Sequence, residues 1–460
     1  MSQPGTPENP LRVAVVGSGP SGFYATEALI KSGLSVKIDM LERLPAPYGL
    51  VRNGVAPDHA KLKQAIQLYD KIAEAKEFNY LGNVNVGRDV SVEELKNTHH
   101  VILFACGAES DRKLGIPGEN LPGSYTATEF VGWYNGHPDY RNRTFDLSHN
   151  VAVIIGQGNV AADVSRILAK TVDELKHTDI AEHALEVLAA SQIREIYVIG
   201  RRGPAQAKFT PKELREFGEL SACDPVVSQE DLVLNPASQQ ELEDKSNAGS
   251  TKIYQLFKEF SQRHGEAKKR RCHFRFLLSP VELTGQGKLQ NLVLEKNALQ
   301  GEAFNQSARG SGEKITLDAG ILFRSIGYRG IPIAGVPFDE RKAIIPNIRG
   351  KVTDTNGTFI SQLYTAGWIK RGPTGIIGTN RADSVETVES ILQDVAAQNT
   401  SSQKSGMDGL LTLLRQRHVR YVTFAEWKMI DQHEIERGKL VGKPREKYTS
   451  IKEMLSALDT

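Results

Sequence analysis

Two short apolar strands in this chain each run straight into a glycine turn and then a helix, and no other feature limits the fold as strongly. The first unit is RVAVV (12–16), then Gly17-x-Gly19-x-x-Gly22, then SGFYATEALIKSG closed by Gly33, with SVKIDMLE as the next strand. The second begins at VAVIIGQGNVAADVSRILAK (151–170) and reaches its next strand at REIYVIGRRG (194–203). Strand, turn, helix and strand in this order form a βαβ unit, which needs a parallel sheet with helices on its faces. With 460 residues, 40% of them hydrophobic, the chain is large enough for two or three such cores and is neither disordered nor fibrous.

The glycines state what each turn is for. Gly17 permits the tight turn, Gly19 lets a pyrophosphate approach the backbone, and Gly22 lets helix and strand pack closely. The helix start supplies free N–H groups and positive potential. Glu42 ends the second strand, twenty residues beyond Gly22, where a carboxylate accepts hydrogen bonds from an adenosine ribose. The second turn, Gly156-x-Gly158-x-x-Ala161, tolerates Ala at its third small position. After its second strand stand Arg201 and Arg202 in place of a carboxylate, two guanidinium forks suited to a 2′-phosphate. That favours NADPH over NADH, although helical-looking sequence (172–190) stretches the usual spacing. One acidic and one basic dinucleotide site in a single chain suit a flavoprotein reduced by NADPH.

The expected fold is therefore α/β, two Rossmann-like dinucleotide-binding domains with an NADP domain inserted into an FAD domain. The strand and Gly/Pro turn of HVILFACGAESDRKLGIPG (100–118) place the first crossing near 110, and LDAGILFRSIGYRGIP (317–332) brings the chain back, with Gly335 soon after. The expected bounds are 1–110 and 335–460 for the FAD domain and 111–334 for the NADP domain. PASQQELEDKSNAGSTK (236–252) and GEAFNQSARGSGEK (301–314) lack periodicity and read as surface excursions, QNTSSQKSG (398–406) reads as a linker, and the remainder as helical up to 442–448.

Five longer segments carry a family resemblance: YGLVRNGVAPDH (48–59), GQGNVAADVSRIL (156–168), GRRGPAQAKFTPKELRE (200–216), AGWIKRGPTGIIGT (366–379) and GKPREK (442–447). In order and spacing they resemble the adrenodoxin reductase family and its bacterial ferredoxin-NADP reductase members, from about residue 11 onward. The resemblance implies FAD held by the first glycine turn with Ser21, by Glu42, Leu50, Val86 and Trp368, and by the backbone of Gly375, Ile376 and Ile377. It implies NADPH held by Gln157, Gly158, Asn159, Val160, Arg201, Arg202 and Glu213, with Gly375 near the nicotinamide. His59, Asp163 and Glu216 match family positions for polar groups around nicotinamide and flavin, where they position and balance protons, since hydride transfer needs no general base. The less favoured reading is that His59 merely caps the following helix and Asp163 is a surface helix residue. GPTGIIG precedes an expected helix (382–392), whose N-terminal end would favour negative charge on a reduced flavin. Gly367-Trp368 stands where related flavoproteins carry Gly-Asp, as in the narrower family.

The implied reaction takes hydride from NADPH to FAD and passes single electrons to a ferredoxin, 2Fe-2S or similar, with a monomeric enzyme. A ferredoxin is acidic and should dock on a basic face, for which Arg215 and the run Lys268-Lys269-Arg270-Arg271 are the candidates. A net charge of +2, from 57 basic and 55 acidic residues, gives no case for nucleic acid. Apolar runs such as 101–106 fall far short of the ~20 residues a membrane helix needs. The opening MSQPGTPENP has no apolar or Arg-rich targeting pattern, so a cytoplasmic location is expected. Cys106, Cys223 and Cys272 form no CxxC pair, which argues against a disulfide reductase, a metal site and an iron-sulfur cluster. Only ten residues precede the first strand, without the cysteine clusters of a glutamate synthase subunit. Two alternatives remain: a flavin- and NADPH-dependent monooxygenase, to whose F-x-G-x-x-x-H segment FVGWYNGH (130–137) comes near with its His one position late, and a non-enzymatic redox sensor.

Overall fold

The computed structural model describes residues 3–263, 268–397 and 402–459. Two large sheets organise it. The first runs Asn347–Ile348, Lys351–Thr353, Phe359–Thr365, Val101–Phe104, Leu11–Val16, Val36–Leu41, Phe78–Leu81 from edge to edge. Its last five strands are parallel, in the order of a doubly wound nucleotide-binding sheet, with an antiparallel edge at 347–353. The second runs Ser124–Thr126, Ile321–Arg324, Val151–Ile155, Glu195–Ile199, Arg270–Arg275, Cys223–Val226 and is parallel throughout.

Both glycine-turn strands are buried on two faces, which is why they read as unbroken apolar runs. Val13 and Val15 join one core cluster, whereas Ala14 and Val16 join another on the opposite face. Ala152 and Ile154 are divided from Val153 and Ile155 in the same way. Period-2 side chains sent into two apolar layers leave no polar face to alternate with. The sheets thus form two dinucleotide-binding domains, and the connections between them lie side by side: Ser110–Asp111 pairs antiparallel with Tyr328–Arg329.

Sequence and structure part company where burial is polar or the ladder alone sets the strand. The stretch 236–252 is helical over Pro236–Glu243, which buries only Ser238 and Glu241 and so shows no apolar period. Helix Ala248–Ser261 follows, with its apolar face (Ile253, Leu256, Phe257, Phe260) lying past 252. Within 301–314, strand Ser307–Asp318 is exposed along most of its length and is fixed by pairing with Asn291–Gln300. The helix expected over 382–392 spans Thr379–Ala397, because Asn380, Ser384 and Thr387 are buried polar residues that extend its face invisibly to an apolar count. Of the linker 398–406, residues 398–401 lie outside the described residues. Met407–Gln416, Phe424–Leu440 and Ile451–Ser456 are helical, and the segment between the last two is bonded to the second domain. There Lys447 Nζ donates to the Asn135 carbonyl at 3.1 Å, and Lys443 Nζ to the Ile180 carbonyl at 3.2 Å. Among the described residues no helix is long and apolar enough to cross a membrane.

Candidate functional site

Both glycine turns leave the carboxyl ends of their strands, where open α/β sheets place ligands. In the first, Gly17 has φ +104°, and a Cβ there would stand 2.6 Å from the Ala105 carbonyl oxygen. A Cβ on Gly22 would stand 2.3 Å from the Gly17 oxygen, so helix and turn pack without room for a side chain. Gly19 differs: among the described residues nothing lies within 4 Å of its Cβ position, and it begins helix Pro20–Ile30 with no side-chain cap. That combination, an open approach over uncapped N–H groups, fits a dinucleotide pyrophosphate.

The other expected FAD residues gather around this turn. Tyr48 N–H donates to the Ser18 carbonyl at 3.0 Å, and Gly49 lies against Gly19, its Cβ position 3.1 Å from the Gly19 Cα. Leu50 follows with an exposed side chain. Glu42 is half-buried at the strand end, where it accepts from Ser18 Oγ at 2.7 Å and Leu44 N–H at 3.1 Å. Val86 is buried beyond the neighbouring strand. Ser21 is buried and donates from Oγ to Asn380 Oδ1 at 3.2 Å, which ties the turn to helix Thr379–Ala397. Trp368 is half-buried, with its ring 5.3 Å from that of Tyr328, and its Nε1 donates to the Thr374 carbonyl at 3.1 Å. Gly375 (φ +84°) and Ile376 are exposed and Ile377 is half-buried, but the Ile376 N–H is turned inward to Thr379 Oγ1 at 2.9 Å.

The second turn repeats the logic. Gly156 has φ +134° and would bring a Cβ within 2.1 Å of the Ser325 carbonyl oxygen, while Gly158 faces open space and begins helix Asn159–Ala169 uncapped. Gln157 and Asn159 hold the surrounding loops: Gln157 Nε2 donates to the Arg275 carbonyl at 2.9 Å, and Asn159 Oδ1 accepts from Thr210 N–H at 2.8 Å. Val160 packs on the domain core. Arg201 is exposed and Arg202 half-buried. Among the described residues neither guanidinium has an ion-pair partner, although Arg202 lies near enough to Glu241 to help lower its carboxyl.

His59, Asp163, Glu213 and Glu216 come together between the domains, around a residue that spacing alone does not single out. Arg166 has no exposed side-chain surface; its Nε donates to Asp58 Oδ2 at 2.7 Å, Nη2 to Asp163 Oδ1 at 2.6 Å, and Nη1 to Glu213 Oε2 at 3.2 Å. Lys170 Nζ reaches Asp58 at 2.7 Å. His59 Nε2 lies 2.9 Å from Glu216 Oε2 and 3.5 Å from Glu213 Oε2. Asp58 and His59 belong to the first domain and the remaining groups to the second, so the cluster joins the two. Glu213 thus faces this cluster, held by Arg166, rather than Arg201 and Arg202. His59, Glu213 and Glu216 bring donor atoms within 4.8 Å of one another, but Arg166 already supplies the cation such a group attracts. His59 precedes helix Ala60–Lys63 without capping it.

Burial and charge oppose each other here, and the balance differs by residue. Burial raises Asp163 and Glu213 above the usual carboxylate range despite Arg166. Burial also pushes up Glu216, but its bond to His59 and the charge of Arg166 outweigh that and leave it lowered. For His59 burial and Arg166 favour the neutral ring, yet Glu216, Asp163 and Glu213 prevail and the pKa is raised. The cluster therefore holds a proton readily. A raised histidine contributes stability that is complete below its unfolded value of ~6.5 and is lost as pH climbs through the folded value. The thermal midpoint of the unsubstituted protein should therefore exceed that of His59→Gln most at acid pH, with the gap closing toward alkaline pH; a pH-independent gap would contradict this.

The proposed basic run is largely consumed internally. Arg270 is buried and donates to the carbonyls of Ala169 and Lys170 at 3.2 Å, Arg271 pairs with Glu195 at 2.5 Å, and Lys268 with Asp224 at 3.6 Å. Placing every second residue of a strand inward buries one member of any basic run, so 268–271 is not a continuous docking face. Arg215 is exposed. Among the cysteines, Cys223 and Cys272 are buried, and burial pushes the thiols of Cys106 and Cys223 up to about 12.

The fold and its two open glycine cradles define a pyridine-nucleotide-dependent flavoprotein reductase. Residues 11–203 match the family described as pyridine nucleotide-disulphide oxidoreductase. The chain is 42% identical to the mitochondrial NADPH:adrenodoxin oxidoreductase of Arabidopsis thaliana, over 97% of this chain and 95% of that one. It is also 42% identical to the NADPH-ferredoxin reductase FprA of Mycobacterium leprae, over 98% of both. The solved structure of Mycobacterium tuberculosis FprA in complex with NADPH superposes with a TM-score of 0.90 at 41% identity, covering 98% of this chain and all of that one. The chain belongs to the family of NADPH:adrenodoxin and NADPH-ferredoxin reductases.

Proposed function

We propose that this protein is an FAD-dependent ferredoxin-NADP reductase that transfers electrons between NADPH and a ferredoxin-type iron-sulfur protein. The observation that carries the reading is the pair of open cradles, one ending at Glu42 and the other at two arginines that have no ion-pair partner among the described residues. The FAD domain is taken as residues 1–110 and 335–460 and the NADP domain as 111–334. Bound FAD supplies the chemistry of accepting a hydride and releasing electrons one at a time.

The chain's own residues bind and orient. Gly19, Ser21 and Gly22 would present N–H groups at the helix start to the FAD pyrophosphate, Gly17 would form the turn with its own N–H bonded to the Leu41 carbonyl at 2.8 Å, and Glu42 would take the ribose. Leu50, Val86, Trp368 and the Gly375–Ile377 segment enclose the rest. Gln157, Gly158, Asn159 and Val160 hold the NADPH pyrophosphate turn, and Arg201 and Arg202 take the 2′-phosphate. His59, bonded through Nε2 to Glu216 with Asp163 and Glu213 beside it, would hold a proton beside the flavin and nicotinamide, a positioning and charge-balancing role, since hydride transfer itself consumes none. Glu213 acts on this cluster rather than on the coenzyme. The partner is a small acidic ferredoxin, 2Fe-2S or similar, docking near Arg215, and the enzyme works as a monomer in the cytoplasm.

Purified protein should absorb near 450 nm, lose that band on anaerobic addition of NADPH, and reduce cytochrome c rapidly only when ferredoxin is added. Absence of bleaching would end the reading. NADPH consumption yielding peroxide or an oxygenated product, without ferredoxin stimulation, would favour a monooxygenase.

A further inference from the structure

The two polar stretches without sequence periodicity meet beside the Arg201–Arg202 turn. Helix Pro236–Glu243 supplies Ser238 and Glu241, the turn after strand Asn291–Gln300 supplies Gln306, and the short helix Pro204–Gln206, directly after the arginines, supplies Gln206. All four side chains are buried, at 2%, 4%, 8% and 7% exposure. Glu241 Oε2 accepts from Gln206 Nε2 at 2.8 Å, and Oε1 accepts from Gln306 Nε2 at 2.7 Å and Phe304 N–H at 2.8 Å. Ser238 Oγ accepts from both amides at 3.0 Å. Asn235 Nδ2 closes the far end on Gln306 Oε1 at 2.7 Å. Burial raises the Glu241 carboxyl, but these donors outweigh it and hold the group below its ordinary value, with Arg202 adding to the effect.

A buried carboxylate that accepts three hydrogen bonds from two other segments is a fixed point in the fold. Its fixed neighbour is the turn. Gln206 N–H donates to the Gly203 carbonyl at 3.1 Å, and a Cβ added at Gly203 would meet Gln206 Oε1 at 3.0 Å, so the residue after the arginines is held against Gln206. The other side of the turn is pinned by Leu277 N–H on the Arg202 carbonyl at 3.0 Å and Asn297 Nδ2 on the Arg201 carbonyl at 2.9 Å.

We propose that Glu241 is a positioning residue for coenzyme selectivity: through Gln206 it fixes the Arg201–Arg202 turn so that both guanidinium groups are preset for the 2′-phosphate of NADPH. This rests on reading that turn as the phosphate site. A turn already held in its binding geometry need not be ordered when the phosphate arrives. NADH lacks that phosphate and gains nothing from the arrangement. The charge of Glu241 near Arg202 acts in the opposite direction, because removing it would by itself strengthen phosphate binding. A loss of NADPH affinity on substitution is therefore not a simple charge effect.

The test uses the holoenzyme with ferricyanide as electron acceptor, comparing Gln206→Leu and Glu241→Ala. Gln206→Leu adds and removes no ionisable group and cuts the link between Glu241 and the turn, so a selective loss of NADPH affinity reports that link. The KM for NADPH should rise about tenfold, with KM for NADH and kcat for either coenzyme within about twofold. Glu241→Ala should raise the NADPH KM in the same selective way, less the charge effect. If Gln206→Leu leaves the NADPH KM within twofold, or shifts both coenzymes alike, the inference fails. Arg201→Ala with Arg202→Ala, run alongside, separates the two levels. Selective loss there without selective loss in Gln206→Leu overturns only the role of Glu241, and unselective loss there overturns the phosphate reading itself.

Discussion

Replacing Arg201 and Arg202 together by Ala should raise the KM for NADPH by about 100-fold while leaving that for NADH within about twofold. The magnitude follows from the chemistry of the contact. A hydrogen bond to a charged group contributes about 1.5–3 kcal/mol, and two lost at the lower figure give about 3 kcal/mol, or ~100-fold. The lower figure is appropriate because Arg201 is exposed and keeps much of its hydration. Neither guanidinium is tied into an ion pair among the described residues, so their removal orphans no carboxylate and should not disturb the domain. Kinetics with both coenzymes, together with direct titration of coenzyme against flavin absorbance, check this. Equal weakening of NADPH and NADH would show that the arginines serve the fold or the pyrophosphate and not the 2′-phosphate.

Which parts of this molecule could be read from sequence depends on how each is specified. The glycine turns are legible because steric necessity fixes them: no side chain fits at Gly17, Gly22 or Gly156, and the open positions Gly19 and Gly158 stand two residues after the first glycine of each turn. The doubly buried strands were legible as continuous apolar runs. Residues such as His59, Asp163 and Glu216 were found through family resemblance, since 157 positions separate His59 from Glu216 and no periodicity links them. Arg166 carries no signal in the sequence, because a buried arginine on an amphipathic helix looks like any surface cation until its partners are known. Glu241 and Gln306 lay in stretches set aside as surface, because a polar network carries no hydrophobic signal. One clue was present: helix Ala248–Ser261 has Ile253, Leu256, Phe257 and Phe260 at helical spacing immediately past the stretch. The basic run 268–271 is interrupted because the strand begins at Arg270 and turns that side chain inward, while Lys269 and Arg271 stay exposed.

Arg166 is where the largest loss of stability is expected. Its guanidinium is completely buried and bonds Asp58 from one domain and Asp163 and Glu213 from the other. Arg166→Leu fills similar apolar volume but leaves these carboxylates without their shared cation, and removing one partner of a buried ion pair costs about 3–5 kcal/mol. For a domain of this size that corresponds to a fall of about 10 °C in the thermal midpoint at pH 8. The deficit should depend on pH in a defined direction. Asp163 and Glu213 already titrate above the usual range through burial, and without Arg166 they rise further. Carboxyls whose folded values exceed their unfolded ones stabilise the fold below the unfolded values and lose that contribution as pH rises through the folded ones. The variant should accordingly recover toward the unsubstituted protein as pH falls from 8 to 5.5, when the stranded carboxylates take up protons. Scanning calorimetry at the two pH values measures both effects. A deficit below about 2 °C, or one that stays constant with pH, would mean that Lys170 and solvent compensate the cluster and that Arg166 does not hold the domains in register. Because Asp58 directly precedes His59, a real deficit should also be accompanied by slower flavin reduction at saturating NADPH, which a purely local loss of packing in the second domain would not produce.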